Sequence, residues 1–484
     1  MAEILFVFPK TGFELSKQTV ETPLSLLSLA SMVQDYDVKI LDQRTEKDFD
    51  QMLLHNLDNC NFVFLSSMTG TQINHALNIS KIVKENSSAT VVWGGMHATL
   101  FPEQTIAHSL IDCIAIGEGE YTVRQLAENI DKPDKLGDVK GILYKGENGK
   151  IIHNPPQETV NLDSLPRLPY HLLDMEKYVK GRLMIHDEAK RNLPFISTRG
   201  CPWRCSFCSQ PAFSKRRWNA MSAEKTVEET NYMVDRFKLD AVTFYDENFI
   251  SNPKRAEQIA ELIGDKFEWS IQTRMDDMQR ADMKLLVDNG LRLVQPGIES
   301  GSNRILQMIK KDETAGLFLQ VNKNLAKLDM IPVYNFMMGF PTETYEEMMM
   351  TVDLALTMMQ DNPNARIASF YTFVPYPGTE LFSVAVSNGF QPPSTLEGWI
   401  DYTRHHNLTP WLDDKQDMLR NITFTSKFVD GKRMNVFLNN NGLLKVVIKA
   451  YGRYNQFMWQ RHKFEKRIDV DFAEFISRKL NVEM

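Results

Sequence analysis

Arg199-Gly200-Cys201-Pro202-Trp203-Arg204-Cys205-Ser206-Phe207-Cys208 holds three of the five cysteines of this 484-residue chain within eight positions. An odd count crowded in this way is no disulfide framework. It fits a metal site in a reducing, cytoplasmic setting. Three thiolates spaced C-x3-C-x2-C can each hold one iron of a [4Fe–4S] cube and leave the fourth iron open to a substrate or cofactor. A structural zinc wants four protein ligands, and no histidine lies within 20 residues downstream of Cys208.

The context of this loop decides the fold. It follows an apolar strand, Pro194–Thr198, and further strands are expected at Ala241–Tyr245, Glu268–Gln272, Arg292–Pro296, Ile331–Met337 and Arg366–Thr372. Helical patterns lie between them at Ala223–Phe237, Arg255–Ile263, Met283–Asn289 and Thr344–Met359. Six strands in about 180 residues predict a partial (β/α)6 barrel of the TIM type. Such barrels place their sites at the carboxyl ends of the strands.

Upstream, strands at Ile4–Phe8, Asp37–Leu41, Asn61–Leu65, Thr90–Trp93 and Asp112–Ile116 alternate with helices such as Pro23–Gln34 and Gln72–Glu85. That alternation predicts a parallel, doubly wound, Rossmann-like sheet. Its strands run into Ser66-Ser67-Met68-Thr69-Gly70, Gly94-Gly95-Met96-His97 and Gly117-Glu118-Gly119-Glu120, where open α/β sheets bind ligands. A hairpin around Glu147-Asn148-Gly149 and a Pro-rich linker follow. The α/β chain is thus expected to divide into residues 1–140, 141–193 (hairpin and linker), 194–390 (barrel) and 391–484 (a helical cap with its longest helix at Leu443–Arg467). A net charge of −7 argues against general nucleic-acid binding. No apolar run is long enough for a transmembrane helix, and no signal peptide is expected at the N-terminus.

Cys201-x3-Cys205-x-Phe207-Cys208 resembles the CxxxCxΦC motif of the radical S-adenosylmethionine (SAM) enzymes. The resemblance implies that the three cysteines hold a [4Fe–4S] cluster, that SAM chelates its open iron, and that reductive cleavage yields a 5′-deoxyadenosyl radical. It implies SAM contacts from Phe207, from Asp246, Glu247 and Asn248 after the second strand, from Arg274 after the third, from Glu299 and Ser300 after the fourth, and from Gly339 after the fifth.

A sheet domain before such a barrel resembles the cobalamin-binding class of this family. By that resemblance Ser66, Ser67, Thr69, Gly94 and Gly95 line the nucleotide tail of cobalamin, with Gly117 and Glu118 nearby. The segment Pro9–Thr19 has neither His nor Tyr, so it offers cobalt no imidazole. The resemblance implies a C-methyltransferase acting on an unactivated carbon of a small-molecule, lipid or peptide substrate, with an external one-electron reductant of flavodoxin or ferredoxin type. Alternatives are a non-methylating relative of the magnesium-protoporphyrin cyclase type and a non-catalytic cobalamin sensor. A methylthiotransferase would need three further cysteines, and only Cys60 and Cys113 remain. In the cap, Lys445, Lys449, Arg453, Arg461, Lys463, Lys466 and Arg467 face Glu465 alone, as in a basic amphipathic helix. Met337, Met338 and Met348–Met350 read as core filler or as a barrel lining for a bulky apolar substrate.

Overall fold

The computed structural model describes residues 3–12, 14, 20–130, 133–179, 191–402, 409–429 and 442–480. Strands β1 (Ile4–Phe8), β2 (Val38–Asp42), β3 (Phe62–Ser66), β4 (Thr90–Gly94) and β5 (Cys113–Ala115) pair in parallel. The hairpin strands β6 (Ile142–Lys145) and β7 (Ile151–His153) add antiparallel, giving the order β2-β1-β3-β4-β5-β6-β7. The hairpin, set beside the linker in the sequence, therefore belongs to the sheet: Cys113 faces Tyr144 and Ala115 faces Ile142 across the seam.

Side chains alternate across a strand, and this sheet is covered on both faces. Ile4 and Phe6 enter one core with Phe62, Phe64 and Val92. Leu5 and Val7 enter another with Val63, Leu65, Val91 and Trp93. The first core is continuous with that of the barrel, through Tyr170, Tyr178 and Val179 of the linker. Arg167 of the linker reaches Glu229 on the helix Ala223–Phe237 at 2.8 Å.

The barrel is built from β8 (Asn192–Phe195), β11 (Ala241–Phe244), β12 (Glu268–Thr273), β13 (Leu291–Glu299), β14 (Ile331–Met338) and β15 (Arg366–Thr372), all parallel, in the order β15-β14-β13-β12-β11-β8. The first strand starts two residues before the expected one and ends at Phe195. Thr198–Arg199 (β9) instead pairs antiparallel with Asn219–Ala220 (β10), closing the loop that carries the cysteines. Both β8 and β15 are edges, so the barrel is open. The helix Gln416–Val429 lies along β15, with the Thr423 hydroxyl bonded to the Phe370 carbonyl at 2.7 Å.

The helix expected over Leu443–Arg467 ends sooner. Gly442–Trp459 is helical, then His462 and Lys466 take left-handed φ of 49° and 48°, and a second helix runs Ile468–Leu480. Non-glycine residues rarely hold such φ, so the helical period carried past a break it does not encode. Arg467 is buried and paired with Asp469, so it is no member of a solvated basic face. Met338, Met348 and Met349 are core, Met337 is half-buried and Met350 is exposed, and none of them lines the large cavity between the domains.

Trp399 fastens the segment after the barrel to the first domain. It is fully buried, packs edge-on to Phe101 at 5.3 Å, and donates its indole N–H to Gln104 at 2.7 Å. Trp399→Ala is expected to cost about 3–5 kcal/mol, read as a lower denaturant midpoint.

Candidate functional site

The corner between β8 and β9 aims the cysteine loop. Asp246, wholly buried, accepts from the Ser197 backbone and hydroxyl, both at 2.6 Å, and from the Thr198 backbone at 3.1 Å. Arg255 reaches the Ser197 hydroxyl from behind at 3.0 Å. Gly200 follows with φ 78°, and a Cβ there would meet the Arg217 carbonyl at 2.1 Å, so only glycine fits this approach. Ser206 then anchors the loop by donating to the Ile309 carbonyl and accepting from the Leu381 backbone, both at 2.9 Å. Phe207 packs edge-on against Phe340 at 6.1 Å, in the loop after β14.

Cys201, Cys205 and Cys208 are free, half-buried thiols on this loop. Burial pushes Cys201 up to about 11 and Cys208 up to about 12. A guanidinium nitrogen of Arg274 stands 3.6 Å from the Cys205 sulfur, and Lys311 adds a second cation nearby. Cations that favour the thiolate, and three sulfurs for three irons, fit an open-sited cube. Among the described residues no three His, Cys, Asp or Glu side chains converge on one ion; the ligands of a cube each take a different iron and need not converge. Cys60 and Cys113 are buried in the first domain, where Cys60 donates to the Phe62 carbonyl.

Two further groups rise at the strand ends. Glu247 faces the chamber with Gln210 bonded to it at 2.8 Å, and crowding by protein and the Asp246 charge push its carboxyl up to about 7. Glu299 sits at a register shift of β13 with φ 66°, facing Lys311 at 3.5 Å. Strained backbone of this kind collects at functional sites.

A cavity of about 680 Å³ joins the two domains. Ser66, Gly94, Gly95, Gly117 and Glu118 line its sheet side, and Arg199, Gly200, Gln210 and Glu247 its barrel side. A Cβ on Gly117 would meet nothing within 4 Å, and one on Gly94 would touch Ala115 only at 3.8 Å, so these glycines leave room for a bulky ligand. The residues present therefore fit a corrinoid laid against the sheet. Arg199 spans the chamber, bonded to Glu120 at 2.5 Å, to Glu118 at 3.2 Å and to Ser28 at 3.0 Å.

Several expected contacts are placed elsewhere. Ser67 is fully buried and bonded to the Gly94 carbonyl, and Thr69 is bonded to His97 at 2.9 Å, so neither lines the cavity. Asp246 spends its oxygens on the loop corner. Asn248 donates its amide N–H to Asp277 and its amide oxygen accepts from the Thr273 hydroxyl. Arg274 is held by Asp276 and the Lys311 carbonyl, and Ser300 by Thr351. Gly339 is covered by Leu412, with its N–H on Glu343 at 2.6 Å. These five shape the walls through polar atoms already occupied by protein. Lys311, Glu313, Arg255 and Glu343 were missed. Lys310-Lys311-Asp312-Glu313 reads as a solvated charge run, yet Lys311 and Glu313 are buried together. Burial pushes Glu343 up to about 8, with Oε1 left without a partner.

Residues 195–355 match the model of the Radical SAM superfamily, and residues 16–127 match that of the B12 binding domain. An uncharacterized methyltransferase of Pyrococcus horikoshii is 33% identical over 465 residues, 93% of this chain and 95% of the relative. The chain belongs to the cobalamin-binding radical SAM enzymes. Two solved structures share the fold of this radical SAM enzyme. The cobalamin-dependent SAM radical enzyme OxsB has TM-score 0.70 and 18% identity, covering 100% of this chain and 76% of that one. The radical SAM methyltransferase TsrM of Kitasatospora setae has TM-score 0.68 and 15% identity, covering 97% and 99%. The cofactors of the family are a [4Fe–4S] cluster, SAM and cobalamin. Among the described residues no helix is long and apolar enough to cross a membrane.

The Glu120–Arg199 bond joins both halves of the radical SAM enzyme. Burial raises the Glu120 carboxyl, but the Arg199 charge and the bonds from Arg199 and Ser28 outweigh it and hold it below the usual range. Stability from a lowered carboxylate is present above its unfolded value of about 4.3 and is lost as pH falls through the folded value. Glu120→Gln should thus cost about 2 kcal/mol at pH 7, measured by urea unfolding. The gap from the parent protein should stay flat above about pH 5 and shrink in stronger acid.

Proposed function

We propose that this enzyme is a C-methyltransferase that acts on an unactivated carbon of a small-molecule, lipid or peptide substrate. When bound, the cluster with SAM supplies a hydrogen-abstracting deoxyadenosyl radical and cobalamin supplies the methyl group. The observation that carries the reading is the continuity of one cavity from the glycine floor of the sheet to Arg199 and Gly200, the two residues that lead into the cysteine loop. Both reactive centres then reach one substrate position.

In this reading Cys201, Cys205 and Cys208 hold the cluster and Phe207 walls it from the barrel interior. Glu247 meets the amino group of SAM, oriented by Gln210. Glu299 is steered by Lys311, and Gly339, whose N–H is held by Glu343, shapes the turn after β14. Asp246, Asn248, Arg274 and Ser300 brace these groups. Ser66, Gly94, Gly95, Gly117 and Glu118 receive cobalamin. The protein's task is placement and exclusion of water, since the cofactors carry the difficult chemistry. An external one-electron donor completes the system.

Anaerobic reconstitution with SAM, methylcobalamin and a reductant should yield deoxyadenosine and a product heavier by one methylene unit. A product of altered mass without that gain would instead favour the cyclase type. Absence of cobalamin from the visible spectrum would sink the assignment. Cys201→Ala, Cys205→Ala and Cys208→Ala should each abolish deoxyadenosine formation and the broad visible absorbance of the cluster.

A further inference from the structure

The cap turns a polar, well-bonded face inward and leaves an apolar face outward. On the helix Gly442–Trp459, the buried residues Gly452, Asn455 and Trp459 face the protein. Trp459 donates its indole N–H to the Thr425 hydroxyl at 2.8 Å, and Asn455 accepts from Arg467 at 2.6 Å. The outer face carries Val446, Ala450, Tyr454 and Phe457, at steps of four, four and three residues, which share one side of a helix. Val446 is 66% exposed and Phe457 48%. The helix Ile468–Leu480 repeats the pattern at its start, with Ile468 80% exposed and Phe472, one turn on, 65%. Single exposed apolar side chains are ordinary, but a run of them marks a contact surface.

Cations border this apolar run. Lys449 and Arg453 lie one turn apart beside it, and Arg461 lays its guanidinium over the Phe457 ring at 3.7 Å. Lys463 and Lys466 follow in the turn to the next helix, with Glu465 exposed between them. Other acids nearby are engaged: Asp469 by the buried Arg467 at 2.6 Å, Asp471 by Arg420 and Asp353 by His462. Among the described residues no carboxylate pairs with Lys449, Arg453, Lys463 or Lys466. None of these residues lines the cavity between the domains.

We propose that this outer face of the cap docks on an anionic lipid surface, with the helix Gly442–Trp459 lying along it. The apolar side chains enter the boundary between headgroups and acyl chains, and the long stems of Lys449 and Arg453 carry their charges to the lipid phosphates. Charge complementarity selects this occupant over a second copy of the chain, since a twofold pairing would set the same cations against themselves. The net charge of the chain is −7, so the attraction is local to the cap and gives the docked protein one orientation. A helix held in the interface needs no spanning segment.

The test mixes the reconstituted full chain with vesicles of phosphatidylcholine alone, or of equal parts phosphatidylcholine and phosphatidylglycerol, and reads the bound fraction by sedimentation. Binding is expected on the anionic vesicles, with an affinity that falls as salt rises. Lys449→Gln with Arg453→Gln should weaken it about thirtyfold, each cation near an anionic leaflet being worth about fivefold. Lys449→Arg with Arg453→Lys should bind as the parent does. Phe457→Ser with Phe472→Ser should weaken binding by about tenfold or more. All four positions are exposed, so every variant should keep the parental urea midpoint. Equal binding to both vesicles, binding to neither, or anionic binding that the glutamine and serine variants leave unchanged would overturn the proposal. So would a dimer in sedimentation velocity that Phe457→Ser dissolves, which would give the face to a second copy.

Discussion

A single buried carboxylate sets the geometry of this protein. Asp246 gathers three donors from Ser197 and Thr198 and so fixes where the chain turns out of the first barrel strand. Burying a carboxylate is costly unless it is hydrogen-bonded, and here every bond it accepts comes from the corner it holds. Arg255 backs the same corner, sharing the Ser197 hydroxyl and the Met221 carbonyl. Were the corner to relax, Gly200, the three thiols and the β9–β10 clasp would shift together. The reactive loop is in this sense an extension of the barrel wall, and its aim is set before any cofactor arrives.

The chamber between the domains depends on a second polar joint. Arg199 follows the corner directly and reaches across to Glu118, Glu120 and Ser28 of the sheet domain. One residue thus belongs to the cysteine loop by sequence and to the sheet domain by its bonds. The register between the cysteine loop and the sheet domain is carried by a charged side chain that lines the cavity. Apolar packing through the linker supplies bulk cohesion, but the directional bonds of Arg199 decide how the halves face one another.

Much of the architecture was legible because it is local. Apolar runs with glycine or serine turns located the strand starts to within two residues, while β8 ended three residues earlier and β13 three residues later than expected, and β1 matched from Ile4 to Phe8. The cysteine spacing was legible for the same reason, since a loop that short must bring its thiols together. What was not legible is tertiary. Asp246 and Glu247 are neighbours in sequence, yet one braces a corner and the other faces the chamber, and no periodicity separates them. Lys311 and Glu313 carry the composition of a surface run and are buried because Glu299 and Arg274 meet them there. Ser67 and Thr69 sit in the turn after β3, where open α/β sheets bind ligands, but their side chains turn back to Gly94 and His97. The cap helix breaks at His462 and Lys466, which lack the glycine that would mark such a turn.

The open side of the barrel gives the helix Gln416–Val429 a role beyond covering. Among the described residues no strand pairs with β15 on its far side, and an uncovered strand edge is a template for pairing with another chain. The helix lies on that edge, and Trp459 closes over Phe370 beside it at 5.1 Å. A complete barrel would satisfy this edge with further strands; here a helix stands in for them. The C-terminal region is therefore part of the barrel wall: a chain shortened before Gln416 would uncover the buried Phe370, and aggregation through that apolar face, more than loss of chemistry, would be its first defect.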